Sequence, residues 1–236
     1  MEYMTTKNVL ITGASSGIGA SIAKTLEDSY NLFLSGRRQL NLENYFSCDL
    51  TSKKSCEKLF EYAKKYFNSD IDILINCAGA YIYSPIEKMD DDKIDELINL
   101  NFKAGYKLSS LVISDMKKNL WGRIVNIGSI SATVGEANAT LYSATKAALS
   151  GLTRALALEV AQYNITVNQI NPGWVDTPLA DVLDEDEKKE VLDVTPQKRF
   201  IEPYEVANLV KYLISDTAKG LTGQNINLCA GLSIGC

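Results

Sequence analysis

The chain has 236 residues and a net charge of -5, a length that suits one large α/β domain or two small ones and an acidic balance that argues against nucleic acid as the main partner, since that needs a basic face. It contains no histidine, so the commonest general base and metal ligand is missing and any acid–base chemistry must fall to another residue. No cluster with metal-ligand spacing is visible either.

The five cysteines, Cys48, Cys56, Cys77, Cys229 and Cys236, are scattered and odd in number, which predicts reduced thiols in a cytoplasmic protein rather than a disulfide framework. The N-terminal run Met1-Glu-Tyr-Met-Thr-Thr-Lys7 has no apolar signal core. No apolar run approaches the ~20 residues that cross a bilayer, so no membrane partner is expected.

Asn8 to Thr12 is a short apolar run, read as a buried strand. It leads into Gly13-Ala-Ser15-Ser16-Gly17-Ile18-Gly19 and then an amphipathic helix to about Asp28. Strand, glycine loop, helix is the order a dinucleotide site needs: glycines let the backbone approach a pyrophosphate, and the helix N-terminus offers free N–H groups and partial positive charge. Asn31 to Ser35 reads as a second strand and ends at Gly36-Arg37-Arg38. In such units an acid near this point binds the ribose hydroxyl, whereas arginine accommodates a 2′-phosphate. Two guanidiniums and no carboxylate favour NADP(H) over NAD(H), which stays open as the alternative.

A third strand, Tyr45 to Cys48, ends at Asp49-Leu50. The gap before it is shorter than the ~12 residues a parallel crossover normally takes, so it should lack a proper helix. Thr51 or Ser52 can cap the next helix, to about Phe67. Ile71 to Ile75 is a fourth strand, followed by Asn76-Cys77-Ala78-Gly79, small residues that permit close ligand approach. After a loop from Tyr81 to Met89, Asp90 opens a long helix with acids in its first turn, running to about Leu120 with a kink near Asn101.

Arg123 to Gly128 is a fifth strand, and Ser129 follows it directly. The next helix, about Leu141 to Tyr163, carries Tyr142 and Lys146 four residues apart and therefore on one face. A nearby positive charge favours phenolate, so this tyrosine can exchange a proton with an oxygen substrate near neutral pH. Ser129 can reach the same oxygen from the strand end. Ile165 to Ile170 is a sixth strand, leading into the loop Asn171-Pro172-Gly173-Trp174-Val175-Asp-Thr177-Pro178. A charged flap at about 178–200, a helix from Pro203 to about Ser215 and a last strand in Gly223 to Cys229 complete the chain. Strands alternate with helices to the end, which predicts an α/β fold: one doubly wound parallel sheet of about seven strands with helices on both faces, spanning residues 1–236 as a single domain.

Thr12-Gly13-x-x-x-Gly17-Ile-Gly19, Asp49-Leu50, Asn76-x-Ala78-Gly79, Asn101, Gly128-Ser129, Tyr142-x-x-x-Lys146 and Pro172-Gly173-x-Val175-x-Thr177 occur in one order along the chain. In these motifs the sequence resembles the short-chain dehydrogenase/reductase family over essentially its whole length. The resemblance implies a Rossmann-type fold, a cytoplasmic oxidoreductase and a homotetramer paired through the Asn101 and Tyr142 helices. It also implies roles. Tyr142 donates the proton during carbonyl reduction, Lys146 lowers its pKa and binds the nicotinamide ribose, Ser129 hydrogen-bonds the substrate oxygen, and Asn101 holds a water in the proton relay. Gly13, Ser15, Ser16, Gly17, Ile18 and Gly19 cradle the cofactor, Asp49 and Leu50 sit at the adenine, and Asn76, Ala78 and Gly79 lie near the adenosine and ribose. Val175 and Thr177 hold the carboxamide, and Pro172 and Gly173 beside them also bind the cofactor.

The region beyond Thr177 resembles 3-oxoacyl-(acyl-carrier-protein) reductases, which implies reduction of an acyl-thioester ketone and links the chain to fatty acid biosynthesis. Leu120 and Asp181 stand where those reductases often carry basic residues that dock an acidic carrier protein; Lys117, Lys118, Lys198 and Arg199 are the substitutes on offer. Both a carrier-borne and a free substrate therefore stay open, as does the dehydrogenation of a small alcohol, hydroxy acid or sugar. Trp174, Leu179 and Val182 are apolar and suit an acyl chain, with Tyr81 and Tyr83 as the opposite wall.

Overall fold

The structure, a computed structural model, describes residues 6–234; the reading of Met1 to Thr5 as free of a signal core and of Cys236 as a reduced thiol lies outside them. Seven parallel strands form one sheet in the order β3-β2-β1-β4-β5-β6-β7. In chain order they are β1 (Asn8–Ile11), β2 (Asn31–Gly36), β3 (Tyr45–Ser47), β4 (Ile73–Asn76), β5 (Gly122–Ile127), β6 (Ile165–Pro172) and β7 (Asn225–Leu228). Their near-continuous apolar runs follow from burial on both faces. Side chains alternate across the sheet: Val9 and Ile11 enter one core with Ile73, Ile75, Val125 and Ile127, while Leu10, Leu74 and Ile124 enter the other.

Helices α1 (Gly17–Leu26), α2 (Lys53–Phe67), α3 (Asp91–Ile98), α4 (Ala104–Asn119), α5 (Ser131–Val134), α6 (Thr140–Val160), α7 (Glu185–Val194) and α8 (Pro203–Leu213) fill the connections. The first core holds Ile22 and Leu26 of α1 with Val206, Val210 and Leu213 of α8. The second holds Leu59 of α2, Leu108 and Val112 of α4, and Ala157 and Val160 of α6. Each fully buried aliphatic contributes ~1.5–3 kcal/mol, so the two layers together fix the sheet that carries the site.

The short stretch between β2 and β3 has no helix, as its length requires. The kink near Asn101 is a π-helical turn, Asn99–Lys103, between α3 and α4; such turns mark functional positions because they displace backbone groups from the helical register. Two elements differ from the sequence reading. The strand expected from Ile71 begins at Ile73, and the Ser129 stretch holds the short helix α5, whose four residues are too few to show helical periodicity. The flap folds partly as α7, started by a reciprocal capping box between Asp184 and Glu187; no residue of α7 is buried, while Ala180 and Thr195 of the flap on either side are.

Candidate active site

In this strand order the connections leave β1 and β4 in opposite directions, which opens a crevice at their C-terminal ends. A cleft of about 400 Å³ lies there, lined by Gly13, Ser15, Ser16, Gly17, Ile18 and Gly19 from the loop before α1 and by Arg37 and Arg38 after β2. Leu50, Ala78, Gly79, Tyr142, Lys146 and Thr177 complete the predicted residues along its walls. Gly13 adopts φ +70° and presses against the neighbouring strand end: a Cβ there would meet the Ala78 backbone at 2.8 Å. Gly17 adopts φ +52°, and its Cβ would crowd Thr177 at 3.3 Å. Both positions need glycine on conformational grounds as well as space.

Thr12 ties the two loops together. Its Oγ1 accepts hydrogen bonds from the amides of Cys77 at 3.0 Å and Ala78 at 3.1 Å. Ser16, at the N-cap of α1, makes no side-chain capping bond, so the first-turn amides of that helix remain open to an anion. The guanidinium of Arg38 donates to the Ser15 carbonyl and lies across the same loop. Arg37 leans the other way, 3.9 Å from Glu96. The cleft, the open helix end and Arg38 fit a phosphorylated dinucleotide.

Five predicted cofactor residues sit apart from the cleft lining: Asp49, Asn76, Pro172, Gly173 and Val175. Asp49 is exposed and caps the following turn by accepting from the Thr51 amide at 3.0 Å; its neighbours Cys48 and Leu50 face the cleft. Asn76 turns inward, donating to Asn126 Oδ1 at 2.9 Å and Ser109 Oγ at 3.4 Å. Its placement makes it part of the floor that supports the site. Pro172, Gly173 and Val175 line an adjoining cavity.

Of the four residues singled out for chemistry, Tyr142 and Lys146 line the cleft, Ser129 lines the adjoining cavity beside Tyr142, and Asn101 lies behind Gly79. Tyr142 and Lys146 lie on one face of α6, with the Lys146 ammonium 5.7 Å from the Tyr142 ring centre. Lys146 is buried and donates to the Ile127 carbonyl at 2.9 Å. Burial lowers its pKa to about 8, because the charged form loses its hydration. Tyr142 is raised to about 12, mainly by burial, with the Ser129 hydrogen bond pulling it down and the charge of Glu136 pushing it up. This direction is opposite to the one expected from sequence. Loss of hydration by the phenol outweighs its neighbours, and Lys146 is not among the causes of its shift.

Asn101 lies in the π-helical turn with its side chain fully engaged. Oδ1 accepts from the Ala80 amide at 2.9 Å, and Nδ2 donates to the Ala80 carbonyl at 2.9 Å and to Thr145 Oγ1 at 3.2 Å. It clamps the loop after β4 to α6, which sets where Gly79 meets Lys146.

A second cavity, of about 270 Å³, opens on the other side of Tyr142. Tyr142, Gly128, Ile18, Thr177 and Leu179 border both spaces. Of the residues read as an acyl-binding wall, Tyr81, Trp174 and Leu179 line this cavity. Val182 and Tyr83 are exposed outside it, and the Tyr83 hydroxyl accepts from Asn138 instead. Tyr81 packs edge-on against Tyr142 and Trp174, with ring centres 5.0 and 5.8 Å away.

Glu136 and Ser131 were not anticipated. Ser129 Oγ donates to Ser131 Oγ at 3.0 Å, Ser131 Oγ donates to Glu136 Oε2 at 2.7 Å, and Tyr81 Oη donates to Glu136 Oε1 at 2.6 Å. One signal in the sequence marks Glu136: it is the only charged residue between Arg123 and Lys146. Among the described residues no group of His, Cys, Asp and Glu could hold a metal, and no helix is long and apolar enough to cross a membrane.

Comparison with known proteins agrees with this architecture. Residues 7–188 match the model of the short chain dehydrogenase family. The chain is 35% identical over 243 residues to the 3-oxoacyl-(acyl-carrier-protein) reductase FabG of Rickettsia felis, covering 98% of this chain and 99% of the relative. Among solved structures, a variant of the actinorhodin polyketide ketoreductase with NADPH is 30% identical with a TM-score of 0.90 over 97% of each chain. A candidate gluconate dehydrogenase from Agrobacterium tumefaciens is 25% identical with a TM-score of 0.88 over 96% of each chain. The family match runs from the first strand through the sixth and takes in the tyrosine helix, so the chain belongs to the short-chain dehydrogenase/reductase family of oxidoreductases.

Proposed function

We propose that the protein is an NADPH-dependent ketoreductase that reduces the ketone of a 3-oxoacyl thioester to the secondary alcohol, with Tyr142 as the general acid. The observation that carries this reading is that Tyr142 stands between two cavities, bordering both the larger cleft rimmed by the glycine loop and the smaller one walled by Tyr81 and Trp174. The loop before α1, Arg38 and Lys146 would hold the cofactor, which when bound supplies the hydride. The smaller cavity would hold the substrate carbonyl beside the Tyr142 phenol.

In this reading Tyr142 Oη gives its proton to the carbonyl oxygen as negative charge develops there, and the Ser129 hydroxyl turns its single proton from Ser131 Oγ to the substrate, donating a hydrogen bond that orients the oxygen. Burial keeps the phenol protonated through neutral pH, which suits a proton donor. The Lys146 ammonium then offsets the phenolate left behind. Asn101 acts by holding the loop and α6 in register, and because both its amide hydrogens are used, any water it holds must donate to it, at the main-chain carbonyl or the second lone pair of Oδ1. The similarity to a 3-oxoacyl-(acyl-carrier-protein) reductase and to a ketoreductase solved with NADPH supports the substrate class and the cofactor.

Delivery by an acidic carrier protein has weaker support. Leu120 and Asp181 are exposed at the two points where a carrier-docking surface would carry cations, Arg199 is paired with Glu205 at 2.6 Å, and Lys117 lies over the Tyr163 ring. The second reading, a hydroxy-acid or sugar dehydrogenase, is favoured by the likeness to the candidate gluconate dehydrogenase. We further propose that the chain forms one domain with a flap over about 178–200 and assembles as a homotetramer through α4 and α6; light scattering that returns only monomer would remove the assembly. The decisive test is NADPH oxidation with acetoacetyl-CoA, run beside NADH. Rapid turnover with NADPH alone is expected. No turnover in a protein that binds NADPH would discard the oxoacyl reading for the dehydrogenase one.

A further inference from the structure

The smaller cavity is walled by aromatic, aliphatic and hydroxyl side chains, and among the described residues Glu136 is the only charged group lining it. Each carboxylate oxygen is gripped by its own neutral donor, Tyr81 Oη at 2.6 Å and Ser131 Oγ at 2.7 Å. Those hydroxyls are fixed in turn, Tyr81 by its ring contacts with Tyr142 and Trp174 and Ser131 by Ser129. No ion pair among the described residues includes Glu136. The negative charge is therefore held rigidly at the reacting end of the cavity without a cation to neutralise it. Its field extends to the catalytic phenol, where it opposes ionisation.

Resting on the ketoreductase reading, we propose that Glu136 is a specificity-determining residue that excludes substrates carrying a carboxylate beside the ketone and admits neutral ones, the thioester or ester of a 3-oxo acid rather than the free acid. The physical basis is like-charge repulsion in a small, poorly screened space. A free 3-oxo acid places a full negative charge two bonds from the reacting carbonyl and would bring it into a cavity whose lining offers no cation. Esterification or thioesterification removes that charge while leaving the ketone unchanged. The same repulsion acts on hydroxy acids and sugar acids, so Glu136 separates the two functional readings by charge alone.

The test compares methyl acetoacetate with acetoacetate, two ketones of similar size that differ in charge, as substrates with NADPH. Native protein is expected to favour the ester in kcat/KM by on the order of tenfold or more, the scale of a like-charge contact at intermediate dielectric. Glu136→Gln keeps the shape and one of the two acceptors, with its amide nitrogen donating to the other hydroxyl, and should narrow that preference by about tenfold through a gain on acetoacetate. Tyr81→Phe removes one of the two donors but keeps the charge, and should retain the preference; if it narrows the preference as much as Glu136→Gln, packing rather than charge is responsible and the proposal fails. A measurement on native protein stands apart from any folding defect: butyramide should inhibit at about tenfold lower concentration than butyrate, and equal inhibition would overturn the charge filter. If methyl acetoacetate turns over but Glu136→Gln leaves the preference unchanged, the filter is wrong and the reductase reading stands. If native protein binds NADPH and reduces neither ketone, both fall together.

Discussion

Lys146 carries an ammonium into a position that is 5% exposed, where one hydrogen bond, to the Ile127 carbonyl at 2.9 Å, takes the place of its hydration. Burial lowers its pKa from 10.5 to about 8. At ~1.4 kcal/mol per unit, the fold disfavours the charged lysine by about 3 kcal/mol. The sign follows from proton counts: between pH 8 and 10.5 the unfolded chain holds more protons on this residue than the folded one, so this group's contribution to stability rises with pH across that window and is level below it. Lys146→Met keeps the length of the stem, removes the charge and leaves the Ile127 carbonyl short of a donor, at a cost of ~1–2 kcal/mol. The variant should therefore be more stable than native protein by ~1–2 kcal/mol at neutral pH, or ~2–8 °C in Tm for a chain of this size, while losing turnover. The advantage should shrink above pH 8, vanish between about pH 9 and pH 10 and reverse by pH 10.5, where the charge no longer weighs on the native protein and only the lost hydrogen bond remains. Urea unfolding followed by circular dichroism near neutral pH and near the alkaline limit measures this, and the difference between variant and native removes the tyrosines that titrate in the same range. A variant less stable than native at neutral pH, or a difference that ignores pH, would refute the claim that the buried charge is a cost the fold bears for function.

Thr12→Val should destabilise by ~2–4 kcal/mol, because the Cys77 and Ala78 amides lose their shared acceptor and each unsatisfied donor costs ~1–3 kcal/mol; an unchanged urea midpoint would show that water replaces the hydroxyl there. Tyr142→Phe should bind NADPH as native protein does and lose a factor of ~100 to 10,000 in turnover, and retained turnover would remove Tyr142 as the acid. Arg38→Ala should lower kcat/KM with NADPH by roughly tenfold, the scale of one charge-assisted hydrogen bond, and leave NADH nearly unchanged. Equal losses with both cofactors would mean that Arg38 shapes the loop without reading a phosphate.

The amino-acid sequence determined the elements and much of the site because both are written locally. Runs such as Val9-Leu-Ile11 and Ile73-Leu-Ile75 have no polar face to turn to water, so they must be strands buried on both sides. The glycine loop has to follow β1 and precede α1, and a four-residue spacing on a helix sets Tyr142 and Lys146 side by side whatever surrounds them. Tertiary structure decided what depends on residues far apart in the chain. It separated Arg38, folded over the Ser15 carbonyl, from Arg37, drawn toward Glu96. It turned Asn76 into the floor and committed the Asn101 amide to Ala80 and Thr145. It reversed the expected shift of Tyr142, since charge spacing can be read along a helix but desolvation is set by every layer packed around the phenol. And it brought Tyr81 across to Glu136, 55 residues away in sequence, a pairing that exists only once the sheet and both of its helical layers are closed.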